Sequence, residues 1–247
     1  MNNLLELKKN NTPISMITVY DVAFARIADL AKIDILLVGD SMANVVLGLP
    51  STRDILLDEL LSATRAVRRG APSSLIIGDM PFESEKTPEL ALINAQKFIE
   101  AGANAVKIEG YRPEVFEILQ LHSIPFVGHL GLLPQTSKNY KQTAQSLEEQ
   151  TLLLQQALQI EKFDPLCIVL EHVPSSFGKQ MSEALQVPVI GIGAGSDCDG
   201  QVMVLHDVLG LGGNYVPPIA KRFVNAGEIM LNALNEYQTW VKTRGSL

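Results

Sequence analysis

Seven short apolar runs recur along the chain, and none of them alternates with polar residues. They are Ile14–Val19, Ile35–Val38, Ser74–Ile77, Ala105–Ile108, Phe126–Val127, Cys167–Leu170 and Val187–Ile192. A strand with one wet face alternates apolar and polar side chains, whereas a strand covered on both faces is apolar throughout. These runs therefore fit a parallel sheet buried from both sides. Between them lie stretches with helical spacing. Val22, Ile27 and Leu30 mark one face, and Leu56, Leu57, Leu60, Leu61 and Val67 a second. Leu90, Ile93, Phe98 and Ile99 mark a third, and 152–160 a fourth. Gly102, in Ala101-Gly102-Ala103, stands where a glycine closes a helix.

Strand and helix in alternation imply right-handed crossovers. The length of 247 residues suits an α/β fold, a (β/α)8 TIM barrel forming a single domain over 1–247. A short N-terminal extension (1–12) and a closing amphipathic helix (about 221–241) flank it. The eighth strand is left open by the sequence. Gln201–Leu205 is apolar enough, but it comes after Gly195 by fewer than the ~10 residues of a parallel crossover. The same stretch also reads as a helix with Val202, Leu205 and Leu209 on one face.

Composition excludes several classes. Hydrophobic residues make up 47% of the chain, too many for disorder. No apolar run approaches the ~18 residues of a membrane span. Lys plus Arg is 20 and Asp plus Glu is 27, so the net charge of −7 argues against nucleic acid as the partner. Met1–Asn10 is polar, with no apolar core behind Lys8 and Lys9, so no secretion leader is expected. With only two cysteines, the setting read from the sequence is reducing and cytoplasmic.

The chemistry lies at the residues that end each run: Tyr20-Asp21, Gly39-Asp40-Ser41, Gly78-Asp79, Lys107 with Glu109, Gly128-His129 and Glu171-His172. In a barrel these are all C-terminal strand ends, which converge on the mouth where barrel enzymes work. Asp40, Asp79, Glu109 and Glu171 would then share a small volume and repel unless a cation intervenes. Oxygen ligands supplemented by water suit Mg²⁺ better than zinc, because His129 and His172 lack a metal-ligand spacing. Lys107 and Glu109 are two residues apart and face the same way on a strand, so the lysine would serve an anionic substrate.

Other features read more plainly. In Gly191-Ile-Gly193-Ala-Gly195 the third glycine comes one residue early for a dinucleotide loop, and a tight turn with bare backbone is expected. Gly210–Gly213 reads as loop. Cys167 is expected in the core and Cys198 in an exposed polar loop. Arg65, Arg68 and Arg69 read as a solvated helix end.

Taken together, the motifs Ile17-Thr-Val-Tyr-Asp21, Leu37-Val-Gly-Asp-Ser41, Asp79-Met-Pro-Phe82, Val106-Lys-Ile-Glu-Gly110, Gly128-His-Leu-Gly131, Val169-Leu-Glu-His-Val-Pro174 and Ile190-Gly-Ile-Gly-Ala-Gly195 resemble, in this order, the ketopantoate hydroxymethyltransferase family. The resemblance spans about residues 12–225. It implies a barrel of the phosphoenolpyruvate/pyruvate superfamily type. It implies transfer of a hydroxymethyl group from 5,10-methylenetetrahydrofolate to 3-methyl-2-oxobutanoate, giving 2-dehydropantoate on the way to pantothenate and coenzyme A. By motif, Asp40, Asp79 and Glu109 resemble the Mg²⁺ site, and Ser41, Lys107, Asp40 and Asp79 the residues around the oxo acid. Glu171 resembles the family's proton acceptor, and His129 is an auxiliary candidate. The family implies a cytoplasmic homo-oligomer, a decamer of stacked rings. Ser137–Thr143 departs from the family's glycine-rich loop, keeping Tyr140-Lys141-Gln142. Ala63 stands where the family carries a histidine. Two alternatives stand beside this reading: a related 2-oxo acid enzyme of the same superfamily, and a non-catalytic barrel that binds a metabolite.

Overall fold

The computed structural model describes residues 3–137, 140–212, 219–243 and 245. Its strands are β1 (Ile14–Thr18), β2 (Ile35–Val38), β3 (Leu75–Asp79), β4 (Ala105–Glu109), β5 (Phe126–Gly131), β6 (Ile168–Glu171), β7 (Val189–Ile192) and β8 (Gly200–Met203). They close into a parallel barrel in chain order. The helices are α1 (Asn3–Lys9), α2 (Val22–Leu30), α3 (Met42–Val45), α4 (Leu57–Gly70), α5 (Pro88–Ala101), α6 (Pro113–Leu121), α7 (Leu147–Glu161), α8 (Ser175–Ala184), α9 (Leu205–Leu209) and α10 (Ala226–Lys242). The chain divides into two units, Met1–Val202 and Met203–Leu247.

Local chemistry sets the helix ends. Asp21 caps α2, its carboxylate accepting from the amides of Ala23 and Phe24 at 2.7 and 2.9 Å. That role takes Asp21 out of the set of mouth residues. Pro88 opens α5 behind the Thr87 cap, and Gly102 closes it in the left-handed region at φ +109°. Ser146 and Glu149 form a reciprocal cap on α7.

The strands are apolar because both faces are covered. Ile35, Leu37, Ile77, Ala105, Val127, Cys167, Val169 and Ile190 fill the barrel interior with Leu4 of α1. Leu36, Val38, Ile76, Val106, Ile108, Phe126 and Leu170 face the helices. Side chains alternate along a strand. Two steps on from Ile77, Ala105, Val127 and Val169, the inward positions are Asp79, Lys107, His129 and Glu171. The strands therefore run on past their apolar stretches, and the polar groups sit on the barrel wall itself.

Several expectations need correction. The 201–205 stretch divides: β8 pairs in parallel with β7, Ile190 opposite Gly200, and α9 begins at Leu205. The segment before β8 holds no helix, and Gln201 Nε2 donates to the Gly195 carbonyl at 2.9 Å across the turn. An added Cβ at Gly191 would lie 2.9 Å from Cys198 Sγ, so the glycine run serves close approach, as expected of a tight turn. The N-terminal extension contains α1. In α1, Lys8 Nζ donates to the carbonyls of Ser182 and Val187 and pairs with Asp199 at 2.8 Å. The closing helix starts at Ala226 rather than near 221. Gly213, at the end of the expected 210–213 loop, lies outside the described residues.

Helix faces also differ. Ile27 and Leu30 are 60% and 81% exposed, and the buried residues of α2 are Ala25 and Ala28. Small side chains let α2 and α4 approach closely: a Cβ on Gly70 would lie 2.7 Å from that of Ala25. The large side chains are turned outward. Likewise Leu90, Ile93 and Ile99 of α5 are exposed, whereas Phe98 is buried. Arg68 is no solvated end. Its guanidinium donates to the carbonyls of Gly102, Pro72 and Ser74 and to Asn104 Oδ1, tying α4 to the start of β3 and the end of α5. Cys198 is buried rather than exposed, and Cys167 lies in the core as expected. In the second unit, no residue of α10 is buried; Ile229, Leu231, Leu234 and Tyr237 are all exposed.

Candidate active site

Register builds the site. Asp79 of β3 lies opposite Lys107 of β4, Glu109 of β4 opposite His129 of β5, and Gly131 of β5 opposite Glu171 of β6. Lys107 Nζ reaches Asp79 Oδ1 at 2.6 Å. His129 touches Glu109 through Nδ1 at 3.5 Å and Glu171 through Nε2 at 3.3 Å. Asp40, just past β2, donates its backbone N–H to Asp79 Oδ2 at 3.1 Å. Asp40, Asp79, Lys107, Glu109, His129 and Glu171 are all buried. The structure thus gathers these sequence-predicted residues into one connected cluster. Ser41 stands beside it, its Oγ 2.8 Å from the Tyr20 hydroxyl, which donates to Thr18 Oγ1. His172 comes next after Glu171 at φ +49°, a backbone region costly for a side-chain-bearing residue.

Four carboxylates here face one lysine and one histidine. Burial acts against the Lys107 ammonium, but Asp79, Asp40 and Glu109 outweigh it and hold the pKa above the usual lysine value. Burial and the Lys107 charge also act against protonated His129. Its contacts with Glu109 and Glu171 prevail and push it up to about 9. His129 is then a cation at neutral pH, facing Glu109 and Glu171 as ion-pair partners, and its 3.5 Å approach to Lys107 brings two cations together. Burial opposes ionised Glu109 as well, but His129, Lys107 and the Gln135 amide hold it below the ordinary carboxylate range. Asp40 is the exception. Burial first, then the Asp79 charge, pushes it up to about 7.

Sequence reasoning missed three groups. Gln135, in the segment after β5, donates its side-chain amide to Asp40 Oδ2 at 2.9 Å and to the Met80 carbonyl. Its backbone N–H donates to Glu109 Oε1 at 2.9 Å, so one residue spans both carboxylates. No apolar run ends at Gln135; only its position after a barrel strand could have flagged it. Tyr140 donates its hydroxyl to Glu171 Oε1 at 2.6 Å. Glu85, beyond β3, is buried with Ser84 and with Arg112 Nε at 3.8 Å, and burial pushes it up to about 7.

The donor set fits a hard divalent cation. It is all oxygen on Asp40 and Asp79, with more carboxylate charge than local cations balance. Among the described residues, no group of three or more His, Cys, Asp or Glu side chains forms a ready-made metal cage. Glu109 is occupied by His129 and Gln135. An ion here would take two carboxylates directly and complete its shell with water and a chelating substrate, the Mg²⁺ pattern.

Solved structures share this architecture at low identity. A 2,3-dimethylmalate lyase of the PEP mutase/isocitrate lyase superfamily superposes with a TM-score of 0.64 at 14% identity, covering 96% of this chain and 87% of its own. A phosphonopyruvate hydrolase gives 0.65 at 12%, covering 99% and 87%. Fold and strand-end residues thus define a closed parallel (β/α)8 barrel with an acidic mouth, the architecture these structures share. The family model described as ketopantoate hydroxymethyltransferase matches residues 1–245. The 3-methyl-2-oxobutanoate hydroxymethyltransferase of Idiomarina loihiensis is 41% identical over 97% of this chain and 92% of its own. Enzymes of the same name from Thermotoga maritima and Geobacillus kaustophilus are each 43% identical, over 96% and 98% of this chain and 90% and 89% of theirs. The chain belongs to the ketopantoate hydroxymethyltransferase family, a family of transferases.

Proposed function

We propose that the enzyme transfers a hydroxymethyl group from 5,10-methylenetetrahydrofolate to 3-methyl-2-oxobutanoate, giving 2-dehydropantoate, with Mg²⁺ as its metal. The observation that carries this reading is the joining of Asp40, Asp79 and Lys107 to Glu109, His129 and Glu171 in one buried cluster at the strand ends. A solved phosphonopyruvate hydrolase of this fold is described in complex with oxalate and Mg⁺⁺, a ligand chemistry that agrees.

Asp40 and Asp79 would hold the ion, with Glu109 acting through water. Mg²⁺ supplies positive charge beside the keto acid, which lowers the cost of forming an enolate. Lys107 balances the substrate carboxylate, and Ser41 offers a hydroxyl to it. Glu171 takes the proton from carbon 3. His129, protonated, holds Glu171 in place and keeps Glu109 ionised. The enolate carbon then forms its new bond to the methylene carried by the folate, both carbon–nitrogen bonds of that methylene break, water supplies the hydroxyl, and the proton taken by Glu171 and the remaining water proton go to the two folate nitrogens, leaving tetrahydrofolate.

The chain acts on small molecules, and no helix among the described residues is long and apolar enough to cross a membrane. Both cysteines are free, which suits a cytoplasmic setting. The exposed apolar side chains of α2, α5 and α10 support a homo-oligomer, in the family's manner a decamer.

The test is exchange of the carbon-3 proton of 3-methyl-2-oxobutanoate with deuterated water in the presence of Mg²⁺, and then addition of methylenetetrahydrofolate. Exchange and then 2-dehydropantoate formation are expected. Folded protein that gives no exchange rules out the enolate. Exchange without transfer favours the related-enzyme alternative.

A further inference from the structure

Glu171 has a contact at each carboxylate oxygen, a charge contact with His129, whose Nε2 makes no hydrogen bond among the described residues, and a hydrogen bond from Tyr140. Oε2 lies 3.3 Å from His129 Nε2, and Oε1 accepts the Tyr140 hydroxyl at 2.6 Å. Tyr140 is itself fixed. Its ring stacks on the imidazole of His172, with centroids 5.7 Å apart and planes at 24°. The His172 carbonyl accepts from the Thr143 amide at 3.0 Å, and the His172 amide donates to the Ile192 carbonyl at 2.8 Å. The backbone of His172 is left-handed, at φ +49°. Residues 140–143 are thus fastened to 171–172 by a hydrogen bond to the side chain, another to the backbone, and a ring stack.

We propose that Tyr140 is a positioning residue for Glu171, aiming the carboxylate that removes the carbon-3 proton; this rests on the reading of Glu171 as the base. A glutamate held at one oxygen still rotates, whereas one held at both presents its remaining lone pairs in a fixed direction. An O–H···O⁻ bond of this length belongs to the strong, charge-assisted kind. In the step itself Glu171 gains the proton, the carbon–hydrogen electron pair becomes the enolate, and Tyr140 keeps its own proton. Its contribution is aim, which proton abstraction needs to within a few tenths of an ångström. Tyr140 is more than half exposed, so the substitution is made outside the hydrophobic core.

The experiment compares parent, Tyr140→Phe, Tyr140→Leu and Glu171→Gln, each with Mg²⁺. Proton exchange is monitored on 3-methyl-2-oxobutanoate, and transfer on the same acid deuterated at carbon 3. Phe keeps the ring stack and loses the hydroxyl. The expected result is exchange kcat lower by about tenfold to hundredfold in Tyr140→Phe, with KM within about threefold of the parent. The deuterium isotope effect on transfer should rise, because proton abstraction becomes the slow step; loss of a purely structural contact would not move it. Glu171→Gln should abolish exchange. If Tyr140→Phe exchanges as the parent does while Glu171→Gln is inactive, the positioning proposal fails and the base reading stands. A defect in Tyr140→Leu with a normal Phe variant also overturns it, assigning the role to the ring. Parent-like exchange by Glu171→Gln overturns the base and the proposal together.

Discussion

Asp79 and Lys107 are register partners on adjacent strands, and their side chains meet at 2.6 Å inside the barrel. Glu109 and His129 repeat the relationship one strand further on. The active site is therefore a product of strand pairing. A slip of one residue between β3 and β4 would turn one partner of the pair toward the helices. Lys107 also balances charge in the cluster: it is the ammonium among Asp40, Asp79 and Glu109 and is kept protonated by them.

Asp79→Asn should abolish the ability of Mg²⁺ to tighten binding of 3-methyl-2-oxobutanoate, as read by calorimetric titration with and without the ion. Leaving Lys107 buried without its carboxylate should also cost about 3 kcal/mol in chemical denaturation. Mg²⁺-dependent binding equal to that of the parent would remove Asp79 from the metal site.

Gln135→Leu should weaken Mg²⁺ binding by about tenfold, because Asp40 loses its side-chain amide donor while the barrel persists. The backbone donation to Glu109 survives the substitution, so the loss should be smaller than that of Asp79→Asn. Unchanged Mg²⁺ titrations would reduce Gln135 to a packing role.

Glu85 predicts a pH dependence of stability. Burial raises its folded pKa to about 7, so between the unfolded value of 4.5 and 7 the folded state binds more protons than the unfolded one. Stability should therefore fall as pH rises through this window. Glu85→Gln should remove that loss and be more stable than the parent at pH 8 by roughly 2–3 kcal/mol, with no difference attributable to ionisation below about pH 4.5. Denaturant melts at several pH values would show it. A variant less stable than the parent at pH 8 would mean that the Arg112 contact outweighs burial.

Gly131→Ala should damage the site through the backbone. Gly131 sits at φ +95°, and a Cβ there would run into the Glu171 carbonyl oxygen. A destabilisation of roughly 2–4 kcal/mol and loss of proton exchange are expected. Normal activity would show that β5 and β6 can part without moving the base.

Assembly is tested on α10. Met230→Glu with Leu234→Glu, one turn apart on exposed apolar positions, places charge on one helix face and should reduce the particle mass measured by light scattering. An unchanged mass would exclude this face from the subunit contact.

Much of this was legible in the chain. Runs such as Ile35–Val38 announced strands covered on both sides, and the polar ends at Asp40, Asp79, Lys107, Glu109, His129 and Glu171 do converge. What escaped had physical reasons. Strand pairing uses the backbone, so β4 and β6 continue through Glu109 and Glu171, where an apolar count stops. Ile27 and Leu30 marked an apolar face that is outward, because Ala25 and Ala28 give the closer fit to the neighbouring helix. Gln135 and Tyr140 reach the site from irregular segments, and no periodicity records where such a side chain points.

Lys8 and Asp199 lie 191 positions apart, yet they are ion-pair partners. A ribosome releases the first helix long before its counterpart exists. Until Ser182, Val187 and Asp199 emerge, that lysine lacks the partners it has in the folded chain, and β1 has no β8 beside it. Closure of the barrel is thus a late event in its synthesis, fastened by a residue made 191 positions before its partner.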